Sequence, residues 1–210
     1  MNSTVVIIPV KSSGKKSRLA RVLDEGGREE FAGLLLAEVL GEVRKAGLLR
    51  SCSVVSPDET ILGMAERAGA QTVPEEDAAG FDTAVARGLR GVRGHPDVLI
   101  IPADLPLLEA SELLHLLGAR LDGLGAVIVP SRAFDGTNAM LFSLSAPVPL
   151  SYDDDSFWNH LSGAARRSLS VRVCTEPGLT FDVDSPSDFR ALALSRSKRP
   201  PAEFARRMTR

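Results

Sequence analysis

Short apolar runs rich in valine and isoleucine constrain this chain more than any other feature. They recur at residues 4–10, 52–56, 98–102 and 126–130, each bounded by Pro, Ser, Asp or Gly, and they read as buried strands. Helical patterns fill the gaps. Phe31, Leu35, Val39 and Val43 lie on one stripe, and residues 62–68, 83–92 and 111–121 follow as further helices. Strand alternating with helix predicts an α/β fold whose mostly parallel sheet is covered on both faces.

The alternation changes after about residue 130. "GTNAMLFSL" reads as a strand, "DDSFWNHLSGAARR" as a helix with Asp154 or Asp155 as its cap, and "LSVRVC" as another strand. "TFDVDSPSDFRALAL" reads as a strand, a turn and a helix capped by Ser185 with Pro186 in its first position. The last third therefore reads as a lid-like insertion on the same sheet, with Trp158 in the lid core. Residues 1–195 form a single domain, divided near residue 130. The tail 196–210, "RSKRPPAEFARRMTR", is basic and interrupted by prolines, so it is expected to be disordered or packed on a partner.

Composition narrows the function classes. With 210 residues, 44% of them hydrophobic, the chain can bury the core of one large domain. A net charge of -2 and a pI near 6.0 argue against a broad basic surface for nucleic acid. Cys52 and Cys174 stand far apart without metal-ligand spacing, which suggests neither a disulfide framework nor a zinc site and fits a reducing cytosol. No stretch reaches the length of a membrane span, and the first residues lack the features of a signal peptide, so a cytoplasmic location is expected.

In open α/β sheets ligands bind beyond the carboxyl ends of the strands. After the first run come Lys11, Ser12, Ser13, Gly14, Lys15, Lys16, Ser17 and Arg18. Small residues and cations at that position suit a polyphosphate, although neither a Walker loop nor G-x-G-x-x-G is present; a solvated basic loop is the alternative. After the third run comes "PADLPLL". Its Asp104, held between prolines, suits Mg²⁺, which takes one or two carboxylates plus substrate phosphates, or else it caps the next turn.

The acids of "FDVDSPSDF" supply the second acidic element. If that segment is a strand, Asp182 and Asp184 share one face and one or both join Asp104 at the metal, whereas Asp188 supports the helix start. Gly136, Thr137, Asn138 and Ser156 together suit a small phosphate or carboxylate, the alternative being ordinary Asx turns and an N-cap. His160, one turn beyond Ser156, either touches the same anion or packs structurally. His95 and His115 carry no pattern.

The order of the segments "IIPVK", "KKSRLARVL", "VVSPDE", "IPADLPLL", "DGTNAMLF", "DSFWNHLSGA" and "FDVDSPSDF" resembles the CofC family of 2-phospho-L-lactate guanylyltransferases across residues 5–192. The resemblance implies a Rossmann-like nucleotidyltransferase fold, with a nucleotide half over about residues 1–130 and an acceptor half over about 131–195. It implies a Mg²⁺-dependent enzyme of coenzyme F(420) biosynthesis that joins GTP to 2-phospho-L-lactate, giving lactyl-2-diphospho-5′-guanosine and diphosphate. By the same resemblance Lys11, Lys16, Ser17 and Arg18 match the triphosphate loop, with Ser12 and Gly14 inside it. Asp104 and Asp182 or Asp184 match the metal carboxylates, and Thr137 and Ser156 the acceptor positions. Ser56, Asp58, Gly80 and Asp82 fall on the base-side wall.

Two departures from the family pattern stand out. Phe81 and Asp82 replace a usual Leu-Asn, with the Asp82 acid able to accept from guanine N1 and N2, and Asp153, Asp154 and Asp155 replace a Gly-rich turn, bringing charge that would repel an anionic acceptor. Phosphoenolpyruvate and 3-phosphoglycerate are alternative acceptors. Molybdopterin guanylyl transfer is a weaker alternative because the first loop lacks G-x-G. A non-catalytic nucleotide-binding module and an assembly partner acting through the basic tail are readings from other classes. A homodimer is expected.

Overall fold

The computed structural model describes residues 4–11, 17–75, 80–93, 97–121 and 124–209, with residue 17 described in its backbone only. The four apolar runs form strands as expected: β1 (Thr4–Pro9), β2 (Cys52–Ser56), β4 (Asp97–Ile100) and β5 (Gly125–Pro130). β6 (Thr137–Ser143) and β7 (Ser170–Val173) follow. An unexpected strand, β3 (Gln71–Pro74), pairs parallel to β2 at the sheet edge. None of its residues is buried, and it has no apolar run to mark it.

These strands form one mixed sheet in the order β3-β2-β1-β4-β6-β5-β7. Only β6 runs antiparallel to its neighbours, β4 and β5. It is an interior strand, so the last third of the chain is woven into the sheet instead of being laid over it.

Because successive side chains alternate, each central strand feeds two cores. Val6, Ile8, Leu99, Val127 and Leu141 point to one face, with α1 (Glu25–Lys45), α2 (Glu59–Ala68) and α4 (Ala110–Gly118). Val5, Ile7, Val98, Ile128 and Met140 point to the other, with α3 (Phe81–Arg90) and α5 (Ser156–Arg166). α3 comes close to the strands because Gly88 has no side chain: a Cβ there would lie 2.9 Å from Ile7 Cγ2 and 3.0 Å from Val55 Cγ2.

A short helix, α6 (Pro177–Thr180), precedes α7 (Pro186–Leu194). α7 starts as expected, with Ser185 and Asp188 in a reciprocal capping box and Pro186 in the first turn. Residues 181–184 between these helices are not a strand, contrary to expectation. The Val183 N–H bonds to the Asp104 carbonyl at 3.1 Å, but no ladder forms alongside.

The described part of the tail is folded on its own chain, contrary to the expectation of disorder. Its helix α8 (Pro200–Met208) packs on α1 and α7. Phe204, 1% exposed, stacks on Phe31 at 5.5 Å and meets Phe189 at 6.4 Å. The amphipathic spacing of Pro201, Phe204 and Ala205 on one buried stripe explains why a basic segment folds back. Trp158, expected in a lid core, is 55% exposed on α5. Neither Asp154 nor Asp155 caps that helix through its side chain; Asp155 holds the N-cap position with a left-handed backbone, φ 58°. No helix among the described residues is long and apolar enough to cross a membrane.

Candidate active site

Reversal of β6 decides which residues meet. Since Thr137 opens an antiparallel strand beside the end of β5, opposite Pro130, it stands at the same sheet edge as the carboxyl ends of β1, β2 and β4. The loop after β4 that carries Asp104 leaves that edge too, and the Asp104–Val183 backbone bond brings the acidic segment there.

At the β1 side a cavity of about 140 Å³ is lined by Pro9, Lys11, Pro57, Glu75, Gly80 and Phe81. Gly80 has φ 108°, a conformation that side chains rarely adopt, and a helix, α3, starts immediately after it. The cavity is mainly apolar, with the Lys11 cation and the buried Glu75 carboxylate in its wall. Glu75 was not anticipated. The signal lay in an acid directly after a strand end, but β3 itself was not recognisable.

Ser56 and Asp58 turn to another use. The Ser56 hydroxyl accepts from the Asp58 N–H at 3.1 Å, and Asp58 caps α2 by accepting from the Thr60 and Ile61 N–H groups. Asp82 accepts the Tyr152 N–H at 2.9 Å, tying α3 to the loop before α5. Ser12, Gly14 and Lys16 lie outside the described residues, as do Ser13, Lys15, His95 and the side chain of Ser17. Arg18 is exposed, with its guanidinium 3.9 Å from Asp184.

The acidic segment divides by environment. Asp182 turns inward and accepts from Asn138 Nδ2 at 3.1 Å, while Asp184 faces solvent near Arg18. Burial pushes the Asp182 carboxyl above its ordinary range, Asn138 opposes this, and the charges of Asp184 and Asp188 add to it. Such a carboxylate is suited to a cation that would relieve it. Asn138 also donates to the Leu179 carbonyl at 3.1 Å, so its amide orients Asp182 instead of facing a ligand. No group of three or more His, Cys, Asp or Glu among the described residues is arranged to enclose a metal. A Mg²⁺ ion bound at Asp182 would complete its shell with water and substrate oxygens.

Arg132 was also missed. It sits 4.1 Å over the Phe181 ring and 2.6 Å from Asp188 Oδ1, which clamps the acidic segment against the loop before β6. Asp188 is held below the ordinary carboxylate range: burial acts against this, but the Ser185 hydroxyl and N–H and the Arg132 charge prevail. In the same loop Asp135 accepts from the Ser131 hydroxyl at 2.6 Å and the Gly136 N–H at 2.7 Å, and these bonds with the Arg18 charge lower its pKa.

Beside this loop lies a hydroxyl pair. Ser156 Oγ accepts the Thr137 N–H at 2.9 Å, and Thr137 Oγ1 lies 2.9 Å from His160 Nδ1. Ser156 and Thr137 are buried at 4% and 7% exposure, and His160 is fully buried behind them. His160 thus reaches a ligand only through Thr137. Asp153, Asp154 and Asp155 are exposed to solvent, where their charges are screened.

The fold is that of nucleotidyltransferases. A Desulfovibrio desulfuricans protein named as a nucleotide-diphospho-sugar transferase superposes with a TM-score of 0.77 over 99% of this chain and 95% of its own, at 16% identity. A nucleotidyl transferase from Methanothermobacter gives 0.69 over 99% and 100%, at 18% identity. The sequence profile described as "Guanylyl transferase CofC like" matches residues 4–209, and the chain belongs to that family. A Rubrobacter xylanophilus protein named phosphoenolpyruvate guanylyltransferase is 40% identical over 92% of this chain and 95% of its own. A Methanosarcina acetivorans protein named 2-phospho-L-lactate guanylyltransferase is 32% identical over 97% and 92%.

Proposed function

We propose that this guanylyltransferase-family protein transfers GMP from GTP to the phosphate of a 2-phosphorylated three-carbon acid, as a step in making coenzyme F(420). 2-Phospho-L-lactate and phosphoenolpyruvate are alike as acceptors, since each carries its phosphate on the carbon that bears the carboxylate. The relative at 40% identity favours phosphoenolpyruvate, and the one at 32% favours 2-phospho-L-lactate.

One observation carries the reading. A cavity with a cation and a carboxylate beyond β1, and a pair of buried hydroxyls beyond β5 and β6, open on one sheet edge with Asp104 and Asp182 on the segments between them.

In this reading guanine enters the cavity between Pro57 and Phe81, where Glu75 accepts from its N1 and N2 groups. Lys11, Lys16 and Arg18 neutralise the triphosphate. Thr137 and Ser156 donate to the acceptor and aim one of its phosphate oxygens at the α-phosphorus. That oxygen forms the new P–O bond as the bond from the α-phosphorus to the bridging oxygen breaks in line, and diphosphate leaves with the electron pair. Positioning and charge neutralisation suffice for such a transfer. Mg²⁺, held by Asp104 and Asp182 with Asp184 at the rim, would supply charge neutralisation at the phosphates.

The cytoplasm, where GTP is available, suits this chemistry, and the exposed Phe134 and Trp158 side chains suit a homodimer, which light scattering tests. The deciding assay is diphosphate release from GTP and Mg²⁺ with 2-phospho-L-lactate, phosphoenolpyruvate, 3-phosphoglycerate or no acceptor, with ATP and CTP as controls. Release that needs GTP and one of the first two acids is expected; release without an acceptor, or from ATP equally, would remove the reading.

A further inference from the structure

His160 has no access to solvent, yet both of its ring nitrogens are bonded. Nε2 receives the Ser151 backbone N–H at 3.1 Å, and a backbone N–H can only donate, so Nε2 carries no proton. The ring proton is therefore on Nδ1, and it is donated to Thr137 Oγ1 at 2.9 Å. It follows that the hydrogen of the Thr137 hydroxyl cannot point at His160. On the other side the Thr137 N–H is given to Ser156 Oγ, so the Ser156 hydrogen cannot point at that nitrogen either.

We infer that His160 is a positioning residue: by holding Thr137 Oγ1 from behind, it presents the Thr137 hydroxyl hydrogen to an anionic oxygen of the bound acceptor. This rests on the proposal that Thr137 holds the acceptor. A neutral imidazole of fixed tautomer suits the role, because an imidazolium would set two N–H groups against each other at Ser151. Burial keeps the ring neutral by lowering its pKa from 6.5 to about 4. Tyr152 packs edge-on to the ring at 4.6 Å, which limits its rotation.

The substitutions that test this differ in which nitrogen they imitate. His160→Asn leaves an amide near the place of Nδ1, and His160→Gln leaves one near the place of Nε2. His160→Gln should raise the acceptor KM about tenfold, the usual scale for a misaligned hydrogen bond to a charged group, with the GTP KM unchanged. His160→Asn should recover most of that loss. In a Thr137→Val background, which itself raises the acceptor KM, His160→Gln should add little.

The outcomes separate the two ideas. If Thr137→Val raises the acceptor KM and His160→Gln leaves it unchanged, His160 has no positioning role and the acceptor site stands. If Thr137→Val does nothing, the acceptor site itself is misplaced and the inference goes with it. A purely structural His160 would lower the active fraction, and so the apparent kcat, without moving the acceptor KM. Should the variants fail to fold, imidazole ¹⁵N shifts of the wild-type protein at pH 7 still decide: the Nδ1–H tautomer is required, and an Nε2–H or imidazolium signal overturns the inference.

Discussion

Burial of His160 makes stability depend on pH in a direction that can be worked out. Its folded pKa, about 4, lies below the unfolded 6.5, so the folded state binds the proton less readily than the unfolded chain. Its contribution is fully present above pH 6.5 and is lost as pH falls from there through 4. Wild-type unfolding midpoints should therefore fall across that window, and the fall should be shallower in His160→Asn; equal slopes would mean the ring is not held neutral. For Asp104 and Asp182 the expectation concerns catalysis. Either Asp→Asn change should cut Mg²⁺-dependent turnover by about 100-fold or more while the fold survives, as judged by far-UV circular dichroism. Wild-type rates would remove that carboxylate from the mechanism.

At the scale of elements, α8 is the clearest case for a measurement. Phe204 is 1% exposed and lies in an aromatic cluster with Phe31 and Phe189, whose rings meet edge-on at 5.1 Å. Phe204→Ala should cost about 3 kcal/mol in denaturant unfolding, and a change under about 1 kcal/mol would mean that α8 is not docked. That helix also shows where reading a sequence stops. Basic charge and two prolines suggested a tail, and only a partner surface made of α1 and α7 turns its apolar stripe into a core. The interior strands β1, β2, β4 and β5 were legible because each is a short apolar run. β3 was not, because an edge strand of four partly exposed residues has little apolar signal. Thr137, Ser156 and Asp182 could be named from motif order, but their assembly depends on β6 reversing between β4 and β5. Arg132 stacked on Phe181 arises from contacts between segments far apart in the chain, which no local pattern encodes.

Taken whole, the molecule joins the segments before and after residue 130 without a seam. β6 bonds to β4 on one side and β5 on the other, and both large cores mix residues from before and after position 130, as Val6 with Leu141 and Val5 with Phe157. Polar ties cross at the site as well: Asp104 carbonyl to Val183 and Asp82 to the Tyr152 N–H. The two segments should therefore unfold together. The single tryptophan makes this testable, because Trp158 lies on α5 and its emission follows the segment after residue 130 alone, whereas far-UV circular dichroism follows every helix. Their urea transitions should coincide, and GTP with Mg²⁺ should raise both midpoints by the same amount, since a ligand bound to a cooperative unit stabilises all of it. A fluorescence transition that precedes the dichroism, or one that ignores the nucleotide, would mean that the segment after residue 130 opens independently, and the Thr137 hydroxyl proposed to be set by His160 would then not be fixed before a ligand arrives.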